Sequence, residues 1–104
     1  MRESDFEDFL IKDTNIVSKT KAVRSRINKG RMIERHFDIS LDIIVGDDDM
    51  MYQTLIRIKN EMKDTNGNIS NALRKYYYFA NNMIFPTLKD YKTNNPNELV
   101  RKDN

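Results

Sequence analysis

Apolar residues in this sequence recur at steps of three and four positions, which is the spacing of one face of an α-helix. Three such series follow one another along the chain: Phe6, Phe9 and Leu10; Val23, Ile27, Gly30, Ile33 and Phe37; and Met51, Leu55, Ile58 and Met62. The short apolar run 39–45 is interrupted by polar residues, and a lone strand would have no neighbour to pair with. We therefore predict an all-α fold, a compact bundle of four main helices with short extra helical turns.

Local signals place the helix ends. Ser4 and Glu7 have the spacing of a capping box, which predicts the start of the first helix at Ser4. Ser18 or Thr20 is expected to cap the second helix, over about 19–36, with Gly30 either weakening it or allowing close packing. The acidic run 47–49 is expected to cap the third helix.

A fourth helix is predicted over about 69–81, with Tyr76 and Phe79 facing the core. Leu88 and Tyr91 are expected to anchor a last short turn, and from Lys92 onward the chain is polar. We expect one helical domain over residues 1–91, followed by a frayed polar C-terminal tail over 92–104.

The composition and the apolar runs indicate in which cellular compartment the protein is expected. The chain has no cysteine, which excludes disulfides and thiolate metal sites and suits a reducing compartment. No apolar run approaches the roughly 18 residues that span a bilayer, and the N-terminus does not resemble a signal peptide. We expect a cytoplasmic protein that has no membrane partner.

Charge is segregated along the chain. Residues 1–13 carry two basic and five acidic side chains, residues 18–35 carry seven basic and one acidic, and residues 38–49 carry five aspartates and no base. Their net charges are therefore −3, +6 and −5. A surface divided in this way guides the choice of partner rather than the fold.

The basic segment contains the most informative pattern. One set of polar residues, which we name the basic stripe, has steps of 3, 4, 3 and 4 and so shares one helical face: Lys21, Arg24, Asn28, Arg31 and Arg35. Lys19, Arg26 and Lys29 stand at its margins. Such a face can follow a phosphate backbone, or it can be a solvated face whose charges pair with acids elsewhere in the fold.

A second candidate lies in the fourth helix. Arg74 and Lys75 precede a run of aromatic residues, in which an exposed ring such as Tyr77 could stack on a base. The same run could instead contribute rings to the core. Both interpretations of Tyr77 remain open at this point.

Catalytic and cofactor motifs give no positive signal. Asp47, Asp48 and Asp49 lack the layout of a calcium loop, so helix capping is the better interpretation of them. His36, the one histidine, has no recognisable catalytic partner and is expected at the surface or at a helix end. Glycine-rich phosphate loops are missing. We expect no enzyme activity, no small-molecule substrate, no cofactor and no metal.

Taken in order, the segments FEDFL, SKTKAVRSRINKGRMIERHF and NALRKYYYF resemble the N-terminal core-binding, SAM-like domain of tyrosine site-specific recombinases, the phage integrases. They are also similar to related helical modules of some bacterial nuclease and restriction-type proteins. The resemblance covers residues 4–91 and has moderately specific motifs. The positions that fit are Ser18, Thr20, Ile27, Asn68, Ala72, Leu73, Arg74, Tyr76 and Phe79.

The resemblance implies a helical domain that clamps duplex DNA from one side, with Arg74 and the basic second helix as the carriers of contact. In that family a separate domain supplies the catalytic arginines, an H-x-x-R motif and the nucleophilic tyrosine. No segment of these 104 residues could hold that domain. The chain is then either a detached fragment or a stand-alone protein that binds DNA without cutting it.

An alternative comes from another class of function. The aspartates at 47–49 could mimic phosphates, in which case the chain would be a small phage or mobile-element protein that inhibits a host nuclease or defence complex. Duplex DNA, bound with little or no sequence preference, is the first expectation for a partner, and a host protein such as a nuclease is the second.

Overall fold

The computed structural model describes residues 1–13 and 19–94, and all regular structure within these ranges is helical. Its six helices are α1 (Glu3–Ile11), α2 (Lys19–Phe37), α3 (Leu41–Val45), α4 (Asp48–Glu61), α5 (Asn68–Asn81) and α6 (Leu88–Asn94). The prediction of four main helices with short extra turns is confirmed, with α3 and α6 as the short ones. No described helix is long and apolar enough to cross a membrane.

The predicted apolar faces form the core. In α2 the side chains of Val23, Ile27 and Ile33 are buried, and Phe37 is partly buried against the same cluster. Gly30 allows close packing, because a Cβ there would lie 3.0 Å from the Met1 sulfur and 3.2 Å from Leu41. The core therefore forms on one side of α2 and leaves the other side open.

An aromatic cluster holds α1 against α5. The ring of Phe6 meets that of Tyr76 edge-on at 4.9 Å between centroids and lies 5.4 Å from that of Phe79. Phe6 and Tyr76 are fully buried, so the core positions predicted for the fourth helix include Tyr76 as expected. These contacts fix the position of α1 beside the helix that carries the basic stripe.

The starts of α4 and α1 show when local sequence signals are enough to place the end of a helix. Asp47 caps α4 as predicted, since its carboxylate accepts from the backbone N–H groups of Asp49 and Met50. The capping box at Ser4 is wrong: α1 starts at Glu3, and its N-cap, Arg2, makes no side-chain capping bond. Arg2 is instead placed by distant contacts, because its backbone N–H donates to the Tyr76 hydroxyl at 2.9 Å.

Two further predictions about helix ends need revision. Thr20 is the second residue of α2 rather than its cap, while Ser18 falls outside the described residues. α6 continues through Asn94, so residues 92–94 are helical and not frayed. The side chain of Tyr91 explains this, since it stacks on the rings of Tyr52 and Phe85 and ties α6 to the core.

Candidate nucleic-acid interface

The basic stripe lies on the solvent side of α2, opposite the core. Every member of it has an exposed side chain: Lys21, Arg24, Asn28, Arg31 and Arg35. At about 1.5 Å per residue the face extends roughly 21 Å from its first member to its last. This length is more than half of a turn of B-DNA, which is about 34 Å.

Most of these charges are available to a ligand. Among residues 1–13 and 19–94, no ion pair involves Lys21, Arg24 or Arg35. Glu34, the one acid within the basic segment, does not neutralise the stripe. Its carboxylate accepts from the Met1 ammonium at 2.8 Å and from the Leu41 backbone N–H at 2.9 Å.

Arg31 is the exception. Its guanidinium forms an ion pair with Glu3 of α1 and donates to the Asn28 amide oxygen at 3.2 Å. The hydrogen bond to Glu3 raises the pKa of Arg31 above its ordinary value. Because both side chains of this pair are about half exposed, the pair is a weak one that a phosphate can replace.

A groove of about 710 Å³ separates α1 from the stripe. Glu3 and Glu7 stand on its α1 side, Arg24 and Arg31 stand on its α2 side, and Ile27 lies between them. Sequence reasoning missed this juxtaposition. The −3 charge of residues 1–13 was visible, but which face of α2 it would meet was not.

The groove at the other edge of the stripe has no acid among the described residues that line it, and the nearest negative charge there is that of Asp64, which interacts with Lys29. There a shallower groove of about 460 Å³ is lined by Lys21, Arg24, Ser25 and Lys29, among others. The Lys29 ammonium donates to the Ser25 hydroxyl at 2.9 Å, which holds it beside the stripe as its predicted marginal position required. A polyanion would therefore approach α2 from this edge, away from α1.

Two predicted residues of α5 do not join the stripe. The Arg74 guanidinium donates to the backbone oxygens of Phe85 and Pro86, both at 3.1 Å, and burial lowers its pKa. Lys75 donates to the Asp13 carboxylate at 2.5 Å. Both are committed to contacts within the fold, and the structure does not place them on the exposed face of α2.

The prediction that Tyr77 could stack on a base is wrong. Its side chain is 3% exposed, and its hydroxyl donates to the Asp48 carboxylate at 2.7 Å. Burial, helped by that carboxylate, raises its pKa to about 12. The ring offers no free face to a base, so Tyr77 belongs to the core.

The remaining candidates have structural roles. Asp47 caps α4 and Asp48 accepts from Tyr77, so these two carboxylates, proposed as phosphate mimics, already take part in contacts within the fold. Asp49 is only partly exposed.

His36 is exposed near the end of α2, the position predicted for it, and its ring lies 3.0 Å from the Glu61 carboxylate. α2 begins at Lys19, whose side chain is outside the described part of the chain.

Comparison with protein-family models, with curated proteins and with solved structures gives no match for this chain. The similarity to recombinase core-binding domains therefore stays a prediction. Any functional conclusion must depend on the geometry of the stripe itself.

Proposed function

We propose that this chain is a non-catalytic DNA-binding module that contacts the backbone of duplex DNA through the basic stripe of α2. The observation that carries the proposal is the exposure of all five stripe residues on one face of a 19-residue helix. Three of its four cations have no ion-pair partner in the described residues. Their charges are therefore free to displace counterions from phosphates.

The chemistry suits backbone contact without a preferred sequence. Arginine forms bidentate hydrogen bonds with phosphate oxygens, and lysine supplies a compact point charge. The acids of α1 border one edge of the stripe, which limits the footprint of a duplex and sets the side from which it docks. The proposed DNA-binding surface consists of the stripe together with Lys29 and Lys19.

Salt dependence is the first test. Three to four phosphate contacts predict that log Kobs falls with log salt at a slope between about −2.7 and −3.6. Duplex affinity should therefore fall about 40- to 150-fold between 50 and 200 mM salt, as measured by fluorescence anisotropy with a labelled duplex. Absence of binding at 50 mM, or a slope near zero, would contradict the proposal.

Removing a single acid of α1 should raise duplex affinity and so provides a second test of the proposal. Glu3→Gln removes the ion-pair partner of Arg31 and frees that guanidinium for one more phosphate. We expect duplex affinity to rise about two- to fivefold, in line with the strength of an exposed ion pair, and the salt slope to steepen by about 0.9.

The matched control is Asp5→Asn, which makes the same change in net charge at an exposed position of α1 that does not line the groove. Its effect should be clearly smaller. Equal effects of the two variants would show that Glu3 acts only through overall charge.

A further inference from the structure

The turn that follows α5 exposes two large apolar side chains. Met83 is 55% exposed and Ile84 is 82% exposed, the latter being the most exposed large apolar side chain in the described residues. Neither takes part in the core or in the stripe. An exposed isoleucine on its own is common, so the surroundings of this one decide its meaning.

The turn is held firmly on both sides of Ile84. Asn82 ends α5 in the left-handed region, at φ 55°, and its N–H donates to the Tyr78 oxygen. Phe85 is buried against the ring of Tyr91. Arg74 donates to the oxygens of both Phe85 and Pro86. Ile84 is thus presented by a fixed backbone, which lowers the entropy cost of docking onto it.

Beside Ile84 lies a pocket in which Arg26 is the cation left for a ligand, because Lys75 is paired with Asp13 and Arg74 donates to backbone oxygens. It has a volume of about 380 Å³ and is lined by Arg26 of α2, by Arg74, Lys75 and Tyr78 of α5, and by Ile84. The volume falls at the lower end of the range for binding pockets, roughly 300–1,000 Å³. It is enough for one large side chain of a partner together with a neighbouring acidic group.

One residue that lines the pocket, Arg26, has an unmet hydrogen bond. The Nε of Arg26 is buried and finds no hydrogen-bond partner in the described part of the protein. The side chain as a whole is partly exposed and forms no ion pair among the described residues, so its charge is available to a carboxylate, the acceptor that matches guanidinium geometry. The pocket therefore favours a ligand that carries an acidic group.

The pocket is separate from the stripe. The prediction that Arg26 stands at the margin of the stripe is wrong, because Arg26 follows Arg24 by two residues and its side chain leaves α2 about 200° further round the helix, where it lines a pocket with α5. A duplex on the stripe would therefore not reach Ile84. A free anion would leave Ile84 in water as well, whereas a protein segment can supply both the carboxylate and an apolar side chain to cover it.

From this juxtaposition we propose that the pocket between α2, α5 and the turn at Ile84 binds a peptide segment of a second protein, in which a carboxylate side chain stands beside a large apolar one. The apolar side chain packs on Ile84 and Tyr78, and the carboxylate accepts from Arg26. Apolar and aromatic anchors next to arginine are typical of interface hot spots. The chain would then hold DNA on one side of α2 and a protein on the other.

The test uses the full chain as bait for a phage-displayed library of random nonapeptides. We expect enriched peptides to share an Asp or Glu adjacent to Leu, Ile or Phe. The best of them, labelled, is then titrated with the chain by fluorescence anisotropy. Ile84→Asp and Arg26→Gln should each weaken binding about tenfold or more. The first removes the apolar contact of the peptide, and the second removes the cation that pairs with its carboxylate.

The matched control is Ile43→Asp, which places the same charge at another exposed isoleucine, on α3, and should change binding less than about twofold. The Arg24→Glu/Arg31→Glu variant should keep its peptide affinity, so this test is independent of DNA binding. No enrichment, enriched peptides that lack an acid, or binding unaffected by Ile84→Asp would overturn the proposal. So would loss of duplex binding or of self-association on Ile84→Asp, since either would assign the pocket to a different occupant.

Discussion

Reversing two charges of the stripe, Arg24→Glu together with Arg31→Glu, is expected to weaken duplex binding about 100-fold at 50 mM salt. The reason is the loss of two charge-assisted hydrogen bonds to phosphate, each worth about 1.5 kcal/mol, the lower end of the usual range, because both sites are exposed. The slope of log Kobs against log salt should also become shallower by about 1.8. Both quantities come from anisotropy titrations of one labelled duplex at several salt concentrations.

A control with the same change in net charge is available elsewhere on the surface. Lys59→Glu together with Lys89→Glu alters two exposed lysines, on α4 and α6, and leaves α2 intact. Affinity should fall much less than in the stripe variant. Equal losses in both variants would mean that binding depends on overall charge and that α2 is not the contact surface.

Removing the ring that docks α1 is expected to have the largest effect on stability. Phe6 is fully buried among the rings of Phe9, Tyr76 and Phe79. Phe6→Ala should lower the free energy of unfolding by about 3–5 kcal/mol, through lost transfer energy and the cavity left behind. For a domain whose total stability is typically about 5–15 kcal/mol, this change alone could unfold much of the population.

Urea denaturation followed by circular dichroism gives the value. Ile43→Ala serves as the control, because Ile43 is about half exposed and its truncation should cost less than about 1 kcal/mol. A loss below about 1 kcal/mol for Phe6→Ala would contradict the aromatic cluster as the main anchor of α1.

Features with a local cause could be predicted from the sequence. The buried face of α2 follows from the spacing of Val23, Ile27 and Ile33, since helical periodicity alone places them together. Asp47 caps α4 through N–H groups two and three residues away. The exposure of the basic stripe follows from the same periodicity, because one face of α2 is buried and the stripe is on the other.

Features with a distant cause could not be predicted in this way. Lys75 pairs with an acid 62 positions away, and Tyr77 bonds one 29 positions away. The helix pattern showed that some tyrosines of the run must be buried, but which of them depended on where α4 and α6 pack. The start of α1 was missed for the same reason, since Arg2 is placed by Tyr76, 74 positions further along.

The contact between α1 and the stripe could be predicted from the sequence only in part. The opposite charges of the two segments were evident, and the possibility of pairing followed from them. The structure shows that pairing is limited to Arg31 with Glu3 among the described residues, because α1 covers only one edge of the exposed face. This partial coverage leaves Lys21, Arg24 and Arg35 available.

Contact between α2 and DNA is tested most directly by titrating ¹⁵N-labelled protein with a short duplex and following the amide chemical shifts. We expect the largest changes to cluster along the exposed face of α2, from Lys21 to Arg35, and to include Lys29. Residues of α4 and α6 should be nearly unaffected. Changes centred on α4 or α6, or on the pocket at Ile84, with α2 unperturbed, would contradict DNA binding through the basic stripe.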